Sequence, residues 1–151
     1  MEGKTVNHSK TIMTELVMPN YHNALNNLMG GVLMKWMDTV AAVCAGKHCE
    51  SHVVTASVDN VSFQKPIPNG DVVTLTATVT RAFRTSVEVY VEVFAANICG
   101  GNHRRCNDAY FTFVGIDNTS KRPRTVPAVI PITDVEKERF AGALRRRQLR
   151  L

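Results

Sequence analysis

The stretch Asn23–Asp38, NALNNLMGGVLMKWMD, places amides and a glycine pair ahead of an apolar run that ends on an aspartate. Asp38 sits in the middle of a segment, Gly31–Gly46, that otherwise reads as one strongly apolar helix. An ionised carboxylate in such surroundings is costly unless a partner neutralises it or a reaction uses it. Lys35, three residues back, could form an ordinary helix-surface pair with it. Alternatively the carboxylate could take a proton or attack an electrophile. Gly30 and Gly31 open the same helix, where the first backbone N–H groups lack internal partners and the dipole favours negative charge. Glycine also lets a ligand oxygen approach those donors without meeting a Cβ. Asn23 precedes them, and asparagines in loops commonly cap turns.

The remaining reactive side chains form weaker patterns. His48, Cys49 and His52 cluster as HCESH in a helix-to-strand connection, and no second cluster completes a tetrahedral zinc set, so no metal is expected. Cys44, Cys49, Cys99 and Cys106 show no CxxC pairing and read as reduced thiols. His103–Cys106 read as the start of a surface strand.

These groups need a scaffold, and the chain is long enough to supply one. Its 151 residues, 44% hydrophobic and 21% charged, suit one globular domain with a substantial core. The N-terminus lacks a signal-peptide pattern and no apolar run approaches the roughly 20 residues of a membrane span, which leads to a cytoplasmic expectation with no membrane partner. The formal net charge is +5, concentrated in Thr133–Leu151, where six Lys/Arg face three Asp/Glu. Without interleaved aromatics or a binding module, that basic tail reads as solvated and not as a nucleic-acid arm.

Alternation marks the strands. In Val72–Phe83, Val73, Leu75, Ala77 and Val79 point one way and four threonines the other. In Ser86–Ala95, four valines oppose Glu88, Tyr90, Glu92 and Phe94. Val53–Phe63, Asn107–Ile116 and a leading Thr11–Met18 complete five strands. Turn signals at KPIPNGD and NICGGN make the neighbours antiparallel. A last helix spans Asp134 to about Arg147, capped by Thr133 or Asp134. The central helix is apolar nearly all round and must be buried. The expectation is an α+β domain over residues 1–132, a five-stranded antiparallel sheet wrapped around a long central helix, followed by a short basic C-terminal helix over 133–151.

The pattern NxxxNxxGG at Asn23–Gly31 and the following helix with Asp38 resemble the hotdog-fold acyl-CoA thioesterases. So do VVTASVDNVSFQKPIPNGD, RTSVEVYVEV and NDAYFTFVGID. The resemblance implies hydrolysis of acyl-CoA to free acid and coenzyme A, with no cofactor beyond the coenzyme A of the substrate. It implies Asn23 and Asp38 as a catalytic pair from different subunits of a homodimer, assembled further as a trimer of dimers. Asp38 would act as general base or as nucleophile, and Asn23 would orient water or the carbonyl. Gly31 becomes the oxyanion donor, with Gly30 beside it. Arg84, Thr85 and Ser86 would bind the nucleotide or pantetheine of coenzyme A. Asn27, Met29 and Thr39 depart from residue types common in relatives, which leaves acyl-chain preference open. Competing readings are a hotdog dehydratase, for which NALNNLMGG lacks a histidine, a non-catalytic acyl-CoA sensor, and a nucleic-acid binder acting through the arginine tail.

Overall fold

Strict alternation of apolar residues requires a sheet with one covered face, and the chain forms it. The computed structural model describes residues 1–151, apart from the side chain of Asn60. A five-stranded antiparallel sheet has the order β2-β4-β5-β6-β3, built from β2 (Thr11–Leu16), β3 (His52–Phe63), β4 (Val72–Ala82), β5 (Ser86–Ala96) and β6 (Arg104–Ile116). Val73, Leu75, Ala77, Val87, Val89, Val91, Val93, Phe111 and Phe113 are all buried on its inner face. α2 (Gly30–Cys49) lies against that face and buries Leu33, Met37, Val40, Ala41, Cys44 and Ala45. No helix among the described residues is long and apolar enough to cross a membrane.

Edge strand β3 departs from regular pairing with β6 between Thr55 and Ser57. Such a bulge bends a strand and re-aims its side chains. Here it sits beside Thr55, which faces α2.

The ends of the chain form structure that the local sequence pattern does not reveal. β1 (Lys4–Thr5) pairs in parallel with β7 (Val129–Ile130), and α1 (Val6–Ser9) follows β1. This strap covers the C-terminal end of α2. His48 and Cys49 therefore lie in the last turn of the helix, not in a loop, and both are buried. His48 Nε2 donates to Pro127 O at 2.8 Å, which fixes the neutral tautomer. Burial, then the nearby Lys4 and His8 charges, lower the His48 pKa from 6.5, against the opposing pull of the Pro127 carbonyl. The unfolded chain thus binds a proton more readily, and stability falls as pH drops below about 6.5. The slope from this one group is at most about 1.4 kcal/mol per pH unit. His48→Gln, which keeps an N–H donor without titrating, should flatten the fall in melting temperature between pH 7 and pH 5; an unchanged slope would remove His48 as its source.

The basic tail also differs from its solvated expectation. α3 (Asp134–Arg150) starts on a capping box, Thr133 Oγ1 accepting from Glu136 N while the Glu136 carboxylate accepts from Thr133 N. It packs on the outer face of the sheet. Arg146 grips Glu88 through Nε and Nη2 at 2.8–3.2 Å, and Arg150 reaches Asp59 at 2.7 Å and Glu88 at 3.3 Å. Glu88, which alternation sets on the outer face, is consequently 0% exposed. Arg81 donates to Phe140 O and lies 3.9 Å over the Phe140 ring.

Candidate active site

Asp38 is reached by a hydroxyl and not by the lysine next to it. Thr55 Oγ1 donates to Asp38 Oδ1 at 2.8 Å, whereas Lys35 points into solvent and makes no ion pair among the described residues. The residue is half-buried between α2 and the β3 edge. With one oxygen held by Thr55, Oδ2 is left to interact with a reactant. The sequence gives little sign of Thr55, because it is one of many threonines in alternating strands. Its role follows from cross-element geometry: the Thr55↔Phe113 register turns it inward toward α2.

Asn23 lies on the loop that leads into α2, and tertiary contacts fix this loop. Tyr21 packs edge-on against Trp36 at 5.5 Å. Met29 N donates to Tyr21 O, Leu28 N to Ile67 O, and Asn69 N to Asn26 O. Asn26 adopts φ 62° at the turn, a left-handed conformation asparagine tolerates better than most residues. Asn23 Oδ1 accepts from Leu25 N at 2.9 Å and Asn27 N at 3.3 Å. The turn-capping role open to Asn23 is therefore real, and it uses Oδ1 while Nδ2 remains a donor on a residue that lines a cleft.

That cleft, about 320 Å³, is lined by Asn23, Gly30, Leu33, Phe63, Lys65 and Ile67 among others. No side chain caps the N-terminus of α2, and no acid lies in its first turn. A Cβ on Gly31 would meet nothing within 4 Å, while one on Gly30 would touch the Phe63 ring at 3.5 Å. The Gly31 backbone is therefore uncrowded on its Cα side, at the positive end of a 20-residue helix, though Gly30 and not Gly31 lines the cleft. Asp38 does not line this cleft. Eight residues separate it from Gly30, about 12 Å along the helix axis. Within one chain the two groups thus lie apart: Asp38 with Thr55, and Asn23 with Gly30 at the start of α2.

Arg84, Thr85 and Ser86 form the β4–β5 turn, closed by Phe83 N donating to Ser86 O at 2.7 Å. Ser86 pairs with Val114 and Val114 with Val54, the neighbour of Thr55. Two strand spacings, about 10 Å, separate the turn from Thr55. Val126 N donates to Arg84 O, Arg124 N to Gly115 O, and Asp117 N to Arg122 O. These bonds bring the segment bearing Arg122 and Arg124 beside Arg84, a cationic grouping that linear spacing conceals.

Of the other reactive groups, His48, Cys44, Cys49 and Cys106 are buried, while His52, Cys99 and His103 are exposed. Burial pushes the Cys44 thiol up to about 12 and the Cys49 thiol to about 11, so neither is a nucleophile near neutral pH. His48, Cys49 and His52 do not converge on a metal site; among the described residues no group of three His, Cys, Asp or Glu is placed to hold one.

Comparison with known proteins agrees with this fold. Residues 25–98 match the model of the thioesterase superfamily. The chain is 38% identical over 135 residues to the Bacillus subtilis protein described as uncharacterized acyl-CoA thioester hydrolase YkhA, covering 89% of this chain and 78% of that one. A solved hexameric acyl-CoA thioesterase superposes with a TM-score of 0.95 at 38% identity, covering 99% of this chain and 96% of the other. An acyl-CoA hydrolase from Staphylococcus aureus, solved with butyryl coenzyme A and coenzyme A, gives 0.90 at 36% identity over 97% of this chain and 88% of its own. The chain belongs to the thioesterase superfamily, and its architecture is the hotdog fold.

Proposed function

We propose that this chain hydrolyses acyl-CoA to a free acid and coenzyme A, at sites each assembled from two copies of the chain. The observation that carries this reading is the separation of the two groups within one chain, the carboxylate held by Thr55 and the asparagine at the start of α2. β3 is a free edge of 12 residues, and exposed edges pair with other edges. Antiparallel pairing of two β3 edges about their middles sets the Thr55 end of one beside the Phe63 end of the other. Phe63 lines the Asn23 cleft, so Asp38 of one copy then faces Asn23 and Gly31 of its partner. Three such dimers account for a hexamer like that of the solved relative.

In this site the thioester carbonyl oxygen lies at the Gly31 N–H, with Asn23 Nδ2 orienting the carbonyl. Asp38 Oδ2 takes a proton from water, whose oxygen attacks the carbonyl carbon; direct attack by the carboxylate is the other route. The tetrahedral oxyanion is stabilised at the helix terminus. Collapse breaks the C–S bond, and the sulfur leaves as coenzyme A thiolate and takes up a proton. Arg84, Arg122 and Arg124 suit the phosphates of coenzyme A, with Thr85 and Ser86 as hydroxyl donors beside them. The same arrangement disfavours a dehydratase, because His22 directs its Nδ1 to Asn23 O and is not among the residues that line the Gly30 cleft.

Thiol release from a panel of short, medium and long acyl-CoAs tests the activity, and mixing two inactive variants tests the shared site. Asn23→Ala and Asp38→Asn chains, each inactive alone, should recover up to about one quarter of wild-type sites when mixed at random in dimers. No recovery after verified subunit exchange would overturn the two-chain site.

A further inference from the structure

Asn107 breaks the rule that buried polar groups are hydrogen-bonded. It lies on the inner face of β6 at 2% exposure. Its Nδ2 donates weakly to Met37 Sδ at 3.6 Å, and its Oδ1 is buried with no partner. An amide oxygen withdrawn from water in this way is costly unless something else satisfies it.

Its location suggests what does. Asn107 is the register partner of Phe63 across β3 and β6, so the two side chains are neighbours on one face of the sheet. The Phe63 ring lies against Gly30 and forms a wall of the Asn23 cleft, as does Leu33. Met37, which Asn107 touches, is one helical turn beyond Leu33 on the same face of α2. Asn107 therefore stands beside Phe63, and Met37 one turn beyond Leu33, each next to a residue that lines the cleft. Phe63 is 57% exposed in the single chain and sits at the seam where the paired β3 edges of the proposed dimer meet, so its ring is not locked into the closed core. From Gly31 to Met37 the helix rises about 9 Å, a distance that a medium-length acyl chain covers.

We infer that Asn107 is a specificity-determining residue at the end of the acyl pocket. With the Phe63 ring turned outward, the acyl chain passes Leu33 and reaches Met37, where Asn107 Oδ1 accepts a hydrogen bond from a hydroxyl on the distal part of the chain. The preferred substrate class is then hydroxylated medium-chain acyl-CoA over the plain chain of equal length. This inference rests on the thioesterase reading. A purely apolar chain would leave Oδ1 unpaired as it already is, whereas a hydroxyl would satisfy it, and sites built to pair a substrate hydroxyl discriminate against analogues that lack it.

The test compares octanoyl-CoA with counterparts hydroxylated at successive carbons, reading kcat/KM by thiol release. At one distal position the wild-type enzyme should favour the hydroxylated substrate by about fivefold or more. Asn107→Leu should reverse that order while still hydrolysing octanoyl-CoA. Phe63→Ala, measured on protein whose assembly is verified as wild type, supplies a second variant and should preserve the preference while lowering KM for chains of this length. No favoured position in the wild-type protein, or the same preference in Asn107→Leu, overturns the inference. Absence of thiol release from every substrate would instead overturn the thioesterase reading. The Kd values of the same unhydrolysed acyl-CoAs then give the comparison, and equal values would overturn the role of Asn107 as well.

Discussion

Asp38→Asn should lower thiol release from the best acyl-CoA at least about 100-fold while leaving the melting temperature within a few degrees of wild type. The amide keeps the shape of the carboxylate and can still accept a hydrogen bond from Thr55 Oγ1, now 2.8 Å from Oδ1. It cannot take a proton from water and cannot form an anhydride, so both routes to hydrolysis stop. Thr55→Val should have a smaller effect, because it frees the carboxylate to rotate without removing it; the loss would fall on kcat more than on KM. If Asp38→Asn retains most of its turnover with a normal fold, the aspartate is a structural partner of Thr55 and the chemistry must be sought elsewhere.

The largest expected effect on stability comes from the opposite face of the sheet. Glu88→Ala should cost about 3–5 kcal/mol, which for a chain of this size is a melting shift on the order of 10 °C. Glu88 is fully buried and accepts from Arg146, Arg150 and Thr80. Its removal leaves Arg146, half-buried over the Tyr110 ring at 3.9 Å, without its carboxylate. Replacing both partners together, Glu88→Leu with Arg146→Met, should recover much of the loss, since apolar pairs of similar volume replace buried ion pairs well. A drop of less than 1 kcal/mol in chemical denaturation of Glu88→Ala would show that solvent already reaches the pair.

The same ion pairs change the expected result of truncation after Phe140. A solvated tail could be removed without consequence to the fold. Here its removal strips Arg146 and Arg150 from Glu88 and uncovers the outer face of β4 and β5, so the shortened chain should be destabilised before any effect on acyl-CoA binding can be read. The basic character of this segment is thus used largely within the molecule: Arg139 lies over Tyr90 and 3.5 Å from Glu92, and Arg147 lies over Phe83.

Much of the architecture follows from the sequence alone because its causes are local. Period-two alternation requires half-buried strands, and the five expected strands form with ends moved by up to three residues. An apolar helix with only a narrow polar arc at Lys35, Asp38 and Thr39 has to be covered on most of its sides, which leads to the curled sheet. The exposed stripe of α2 runs through Lys35, Thr39 and Lys47. The conspicuous acid in that helix, the glycine pair at its start and the asparagine before it are visible for the same reason: each violates the pattern of its own segment. Their family resemblance then supplies a chemistry that spacing alone does not.

What only the tertiary structure decides depends on contacts between residues far apart in the chain. Thr55 becomes the partner of Asp38 through a β6 register and a bulge, and neither has a local signature. Glu88 reads as an ordinary outward residue until α3, 58 residues later, folds over it. Asn107 reads as the start of a strand until its neighbours leave half of its amide unpaired. The terminal strap needs two dipeptides more than 120 residues apart, too short for any periodicity to register. Local pattern reports which face of an element is covered; it does not report which distant polar atom arrives there, and the chemistry of this site depends on that arrival.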